Sequence, residues 1–256
     1  MTIKKLSSIV AIFIIVVVII SVAVLYKQEG RSVSVNSPSI APSLSEKPTS
    51  TAPTPSLSPS KLPVTTSSLS LAVPFTPQAP TGNWDLLHNE ACEEASAIMV
   101  GAYFSGDTRK VIPAREVEKE ISILTQWEES HFGYHLDTTA LETAEMIRSV
   151  YGLKVSIVNN FTEKEIKEAL SANKVIIIPV NGRKLGNPNY RQPGPIYHML
   201  VVRGYTSTKI ITNDSGTRNG ENYSYLFSTI DDATADWDHT TNTIDESKSV
   251  MIIISK

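Results

Sequence analysis

The chain has 256 residues, a net charge of −3 and a single cysteine, Cys92. An intramolecular disulfide and a zinc site built from several cysteines are therefore excluded. Residues 71–256 contain 17 Lys and Arg against 24 Asp and Glu, a net charge of −7. This acidic balance lacks the basic footprint of a nucleic-acid binder, so we expect no nucleic-acid partner.

Residues 1–30 contain an uncharged apolar run, IVAIFIIVVVIISVAVLY, which covers Ile9–Tyr26. Its length is at the lower end of what spans a bilayer, and Lys4 and Lys5 before it favour a cytoplasmic N-terminus. A cleaved signal peptide is the alternative, but its best cleavage site, Ser21-Val22-Ala23, lies inside the run. We predict a single-pass anchor in the cell membrane, with the rest of the chain extracytoplasmic.

Residues 31–70 are rich in Ser, Thr and Pro, with few charges and no aromatic residue. Such a composition cannot bury enough apolar surface to offset chain entropy, so we predict a disordered linker. Its prolines favour an extended spacer, which could hold a domain on the order of 100 Å from the membrane.

Residues 71–256 are long enough to form one domain around a single core. Their hydrophobic periodicity predicts helices first and strands mostly later, which indicates an α+β fold. The predicted helices cover 93–103, 113–127, a segment from a cap at Asp137 or Thr138 to about Tyr151, and 162–172, where Thr162 and Glu165 form a capping-box pattern. The predicted strands cover 154–158, 175–180, 198–205, 209–213 and 250–254.

The apolar helical pattern begins directly after Cys92, so we expect this thiol at a helix N-terminus. There, unpaired N–H groups and the helix dipole favour the thiolate, which is the nucleophilic form. Glu93 and Glu94 suit a first helical turn, but their charge would oppose a thiolate, which raises the need for a nearby imidazolium. The alternative is a buried structural thiol.

His198 begins one predicted strand, and Asp214 follows the next one along the chain. If the two strands pair as a hairpin about the turn at 206–208, the carboxylate can orient the imidazole. A lone His or an Asp-Ser-Gly turn is usually structural. Together with a cysteine at a helix start, however, the order Cys, His, Asp indicates nucleophilic catalysis.

The other histidines are weaker candidates. His88 is close to Cys92 in sequence, but a helix-start nucleophile usually receives its base from across a cleft. His131 and His135 lack an evident third ligand for a metal ion, so we expect no metal and no cofactor. Trp84 and Trp127 are interpreted as core or cleft-wall aromatics.

Four segments resemble the stand-alone peptidase family 39-like cysteine peptidases, which belong to the bacteriocin-processing type of the papain clan. They are 73–78 (VPFTPQ), 84–92 with the following helix, 197–205 (YHMLVVRGY) and 213–217 (NDSGT). The resemblance implies a papain-like fold, with N-terminal helices packed on an antiparallel sheet. It also implies that Cys92 is the nucleophile, His198 the base, Asp214 the orienting acid and Gln78 an oxyanion-hole donor.

The chain departs from the family pattern at two places. Members commonly have Gly-Pro after the cysteine, where this chain has Glu93-Glu94. The common Asp-Pro-Gly of the third motif is Asp214-Ser215-Gly216. Neither change removes a catalytic group, but the first alters the charge beside the thiol.

We therefore expect a membrane-anchored, extracytoplasmic cysteine peptidase acting on a peptide or protein substrate through a Cys-His-Asp triad. Leader processing beside a transporter is not expected, because the sequence contains no P-loop motif. One alternative is a cell-wall amidase or endopeptidase with the same Cys–His machinery, because a long spacer suits reaching a wall layer. The other is a catalytically silent surface-binding module of the same fold.

Overall fold

The computed structural model describes residues 67–256. The predicted membrane anchor and residues 31–66 of the predicted linker lie outside the described residues. The predicted linker boundary at residue 70 is corrected, because Leu69 and Ser70 form a strand that pairs with Tyr205 and Gly204. Between residues 67 and 256, no helix is long and apolar enough to cross a bilayer.

Helices dominate the first half of the described chain, as the hydrophobic periodicity predicted. They are α1 (Leu86–Asn89), α2 (Cys92–Ser105), α3 (Ala114–His131), α4 (Ala140–Tyr151), α5 (Glu163–Ser171), α6 (Gly182–Leu185) and α7 (Phe227–Ala233). The four predicted helices are confirmed as α2 to α5. The other three were missed, because helices of four to seven residues are too short to show a helical period.

The start of α4 corrects one prediction. Its N-cap is Thr139 rather than Asp137 or Thr138, and Thr139 forms a capping box with Glu142. Asp137 has a φ of 51°, whereas an N-cap residue usually has extended backbone geometry. The capping box of α5, between Thr162 and Glu165, is confirmed.

An antiparallel sheet of seven strands forms the other layer of the described fold. Its members are β1 (Leu69–Ser70), β2 (Lys154–Asn159), β3 (Val175–Val180), β4 (His198–Tyr205), β5 (Lys209–Asp214), β6 (Tyr223–Leu226) and β9 (Val250–Ser255). The order is β2-β9-β3-β4-β5-β6, with β1 pairing on β4. Strands β7 (Asp236–Asp238) and β8 (Thr243–Asp245) form a separate ribbon. The five predicted strands and the α+β class are confirmed.

The hairpin of β4 and β5 positions the side chains at the start of β4 and at the end of β5. Its turn closes where the Thr206 N–H donates to the Lys209 carbonyl at 2.8 Å. Across the hairpin, Leu200 pairs with Asp214, so the start of β4 lies beside the end of β5. Helix α2 packs against β4, and this packing brings the first turn of α2 toward the same end of the sheet.

Candidate active site

The hairpin brings His198 and Asp214 together, as expected from the sequence. Nε2 of His198 lies 2.9 Å from Oδ1 of Asp214, and both side chains are almost fully buried. Because Nε2 is engaged with the carboxylate, Nδ1 is the ring nitrogen that remains to exchange a proton with a thiol.

Asp214 is surrounded by further hydrogen-bond donors. They are the hydroxyl groups of Tyr225 (2.6 Å) and Tyr190 (2.7 Å), Nδ2 of Asn187 (2.9 Å) and the backbone N–H of Gly216 (3.0 Å). Burial opposes the charged form, but the bonds from His198, Tyr225 and Tyr190 hold the pKa of Asp214 below its usual value. The carboxylate therefore remains charged at neutral pH and can orient the imidazole.

Sequence reasoning missed these partners of Asp214. Tyr225 lies on β6, and the alternation in Tyr223–Leu226 is a strand signal that could have located it. Asn187 and Tyr190 lie in the segment between α6 and β4, which has no periodic pattern. The Tyr190 ring packs edge-on against His198, with ring centroids 5.7 Å apart. Only the tertiary structure identifies that loop as part of the site.

Cys92 is the first residue of α2, so the predicted helix start is confirmed. Its side chain is 5% exposed, and the thiol donates to Oε2 of Glu93 at 2.9 Å. The backbone N–H of Met199, the neighbour of His198, also donates to the sulfur. No hydrogen bond within residues 67–256 joins Cys92 to His198, but both side chains line the same cavity.

The expected preference for a thiolate at Cys92 is wrong for the free protein. Burial raises the pKa of the thiol well above its usual value. The charge and hydrogen bond of Glu93, and then the charge of Glu94, act in the same direction. The hydrogen bond from Met199 acts in the opposite direction and is outweighed. Cys92 is therefore a neutral thiol at physiological pH unless a base removes its proton.

The two glutamates that follow Cys92 are buried rather than solvated, because α2 is enclosed on all sides over residues 92–101. Glu94 faces Glu128 on α3, and no N–H or hydroxyl donor within residues 67–256 reaches their carboxyl oxygens. Burial first, and then their mutual interaction, raises the pKa of Glu94 well above its usual value, and burial raises the pKa of Glu128 to about 8. The pair therefore holds at least one proton at neutral pH.

This pair predicts a pH-dependent stability. Because both folded-state pKa values are raised, their contribution is present at acidic pH and is lost as the pH rises through about 8. Glu128→Gln needs no proton, and its amide can donate to Glu94. We expect this variant to gain about 1 to 3 kcal/mol in the free energy of unfolding at pH 9 relative to wild type, and less at pH 5.

Urea unfolding at both pH values measures this difference. The exposed neighbour Glu129 provides the control, since Glu129→Gln should change the free energy of unfolding by less than about 0.5 kcal/mol. Equal effects of Glu128→Gln at pH 5 and pH 9 would show that the buried pair does not titrate over this range.

Gln78 reaches the site, but its amide is already engaged. Nε2 donates to the carbonyl oxygens of His88 and Asn89, each at 2.9 Å. The Gln78 backbone N–H donates to the Ser215 carbonyl at 2.9 Å. Gln78 therefore ties the peptides before Cys92 to the residue after Asp214, and it must release one bond before it can donate to an oxyanion.

His88 is a structural histidine. Its Nδ1 lies 2.7 Å from Asp85 and its Nε2 lies 2.8 Å from Glu118. Although burial disfavours the charged ring, the two carboxylates raise the pKa of His88. Both ring nitrogens therefore have carboxylate partners, and the contact with Glu118 links α1 to α3.

Trp84 and Trp127 lie at the cleft wall and against the core, as the sequence suggested, and His131 is the last residue of α3. His131 stacks on Trp127 with ring centroids 4.0 Å apart, and Trp127 packs against the core. Nδ1 of His135 contacts Glu129 at 3.0 Å. Trp84 is partly exposed and lines the cavity. Across the described part of the chain, no group of three or more His, Cys, Asp or Glu is arranged to hold a metal ion.

The cavity that contains Cys92, His198 and Gln78 has a volume of about 800 Å³. Its apolar lining includes Trp84, Leu86, Ile196 and Trp237, and its charged lining includes Glu90, Asp137, Arg191 and Arg218. The volume lies within the range of pockets that hold small ligands.

The Peptidase C39 like family model matches residues 70–245, so the chain belongs to this family. The resemblance inferred from the four sequence segments is thereby confirmed. A crystal structure described as that of a C39-like peptidase from Bacillus anthracis covers 74% of this chain and 98% of its own, at 13% identity and a TM-score of 0.47. A comparison with curated proteins found no match.

Proposed function

We propose that the protein is a cysteine peptidase in which Cys92 attacks the scissile carbonyl, His198 transfers the proton and Asp214 orients the imidazole. The observation that carries this proposal is the 2.9 Å contact between His198 Nε2 and Asp214 Oδ1, beside a cavity that also contains Cys92. The family assignment supports the same activity.

The raised pKa of the Cys92 thiol determines how the reaction would begin. Proton transfer from Sγ to His198 Nδ1 accompanies the attack of sulfur on the carbonyl carbon. The imidazolium then donates this proton to the departing amine, which leaves a thioester on Cys92. Water, deprotonated by His198, hydrolyses the thioester and restores the thiol.

Two groups are proposed to stabilise the oxyanion. The backbone N–H of Cys92 has no acceptor within α2, because Cys92 is the first residue of that helix. Gln78 can contribute only if one of its bonds to the His88 and Asn89 carbonyls opens when substrate binds. We propose that the Cys92 backbone N–H and the Gln78 amide donate together to the oxyanion, as in a papain-like site.

We also propose a membrane-anchored, extracytoplasmic location. It is supported by the apolar run Ile9–Tyr26 and by Lys4 and Lys5 before it. Externally added protease should remove the catalytic domain from intact cells stripped of their wall. Complete protection of that domain, together with degradation after lysis, would contradict this location.

The activity can be tested with the purified full-length protein and its Cys92→Ser variant. Each is incubated with a peptide library and, separately, with purified peptidoglycan, and the products are identified by mass spectrometry. Cleavage of library peptides by the wild type alone supports the proposal. Release of fragments from peptidoglycan alone assigns the cell-wall alternative, and no Cys92-dependent product from either assigns the binding module.

A further inference from the structure

Glu93 is a buried carboxyl group that the proposed mechanism does not use. Its side chain is 1% exposed, and it lies in the first turn of α2. Oε2 accepts the hydrogen of the Cys92 thiol at 2.9 Å, and Oε1 has no hydrogen-bond partner within residues 67–256. A buried polar group whose hydrogen-bond donor is the proposed nucleophile calls for a chemical explanation.

No cation offsets the charge of Glu93 among the ion pairs of the described chain. The titratable groups that face it are Glu94 and Cys92 on α2, Glu128 on α3, Asp137 in the segment before α4, and Tyr197 directly before β4. All of these are neutral or negative. Burial first, and then the charge of Glu94, raises the pKa of Glu93 well above its usual value.

The contact between Glu93 and Cys92 has a definite electrostatic consequence. Once Glu93 has lost its proton, its carboxylate stabilises S–H and opposes S⁻, because ionisation of the thiol would break the hydrogen bond and place two negative charges beside each other. The contact is short and buried, so solvent screens it little. Glu94 is one residue further along the chain, and among the hydrogen bonds of residues 67–256 it makes none with the sulfur.

We propose that Glu93 is a further catalytic residue, whose carboxyl group accepts the hydrogen of the Cys92 thiol in the free enzyme and, once ionised, raises the pH at which the nucleophile ionises. In the reaction, the S–H bond breaks and an N–H bond forms at His198 Nδ1, while the hydrogen bond to Glu93 is released. This inference rests on the proposed function in that it treats Cys92 as the nucleophile.

The test measures ionisation of Cys92 rather than peptide turnover. Because Cys92 is the only cysteine, its rate of alkylation by iodoacetamide can be followed from pH 5 to pH 10 in the full-length protein. In Glu93→Gln, the side chain keeps its size, loses its charge and can donate an N–H to the thiolate. We expect alkylation at the alkaline end of this range, where Glu93 of the wild type loses its proton, to rise about tenfold or more, which corresponds to a midpoint displaced by at least about one unit to lower pH.

Glu128→Gln is the matched control, because it removes a buried carboxyl group of the same cluster that makes no hydrogen bond to the sulfur within residues 67–256. Its midpoint is expected to move by less than about 0.5 unit. Equal displacement of the alkylation midpoint in Glu93→Gln and Glu128→Gln would overturn the proposal. It would show that the loss of any buried negative charge in the cluster has the same effect as the loss of the carboxyl group in contact with the sulfur. An unchanged or slower alkylation in folded Glu93→Gln would overturn it as well.

Glu93→Asp provides a second measurement if Glu93→Gln does not fold. It keeps the charge but withdraws the carboxylate from the sulfur by one methylene, so its midpoint should lie below that of the wild type. An unchanged midpoint in Glu93→Asp would also overturn the proposal. Absence of peptidase activity in the wild type would refute the proposed function and would leave this ionisation measurement intact.

Discussion

Replacing His198 with alanine is expected to lower kcat/KM for peptide hydrolysis by about a thousandfold or more. The thiol pKa is raised, so Cys92 depends on a base for its ionisation. Nδ1 of His198 is the basic nitrogen available beside the cavity, since Nε2 is held by Asp214. Without it, neither the attack nor protonation of the leaving amine has a proton carrier.

The measurement compares the initial rates of wild type and His198→Ala on the best peptide from the library. His131→Gln serves as the control, because His131 is exposed and stacks on Trp127 away from the residues that line the cavity. It should retain nearly the wild-type rate. A His198→Ala variant within tenfold of the wild type would exclude His198 as the base.

Replacing Asp214 with alanine is expected to lower the free energy of unfolding by about 3 to 5 kcal/mol at pH 7. Five donors converge on this buried carboxylate, and its removal takes away their shared acceptor in the interior; Asn187 Nδ2 keeps a second one, the Tyr225 hydroxyl at 2.8 Å. Asp214 therefore holds the orientation of the His198 ring and also stabilises the folded state. Urea unfolding followed by circular dichroism gives the difference.

The contribution of Asp214 depends on pH in a definite direction. Its folded-state pKa is lowered, so the stabilisation is present above the unfolded-state pKa of about 4 and is lost as the pH falls below it. The difference between wild type and Asp214→Ala should therefore shrink in acid. Tyr225→Phe removes one of the donors and should cost only about 1 kcal/mol. A loss below 1 kcal/mol in Asp214→Ala would show that the donors find other partners.

The position of His198 beside Asp214 could be predicted in part from the sequence. The β-branched run of β4, the polar turn after Tyr205 and the apolar residues of β5 define a hairpin by local periodicity and turn chemistry. Once the hairpin is assigned, its pairing brings His198 and Asp214 to neighbouring positions. The same local signals located the start of α2 at Cys92.

The chemistry around the thiol could not be predicted in this way. Glu93 and Glu94 have the sequence pattern of a solvated first helical turn, yet both are buried, because α2 is covered from every side. Tyr190 and Asn187 belong to a segment without hydrophobic periodicity, so their contact with Asp214 has no local signal. Burial of this kind depends on how distant elements pack.

The sequence by itself determined the α+β order of elements, the hairpin that carries His198 and Asp214, and the position of Cys92 at a helix start. These features follow from short-range periodicity, capping and turn residues. Only the tertiary structure decided that Cys92 is a neutral thiol hydrogen-bonded to Glu93 and that the Gln78 amide donates to backbone carbonyls. It also decided that the buried carboxyl groups of Glu94 and Glu128 retain a proton. The physical reason is that desolvation and charge–charge interactions depend on the groups that packing brings within a few ångströms.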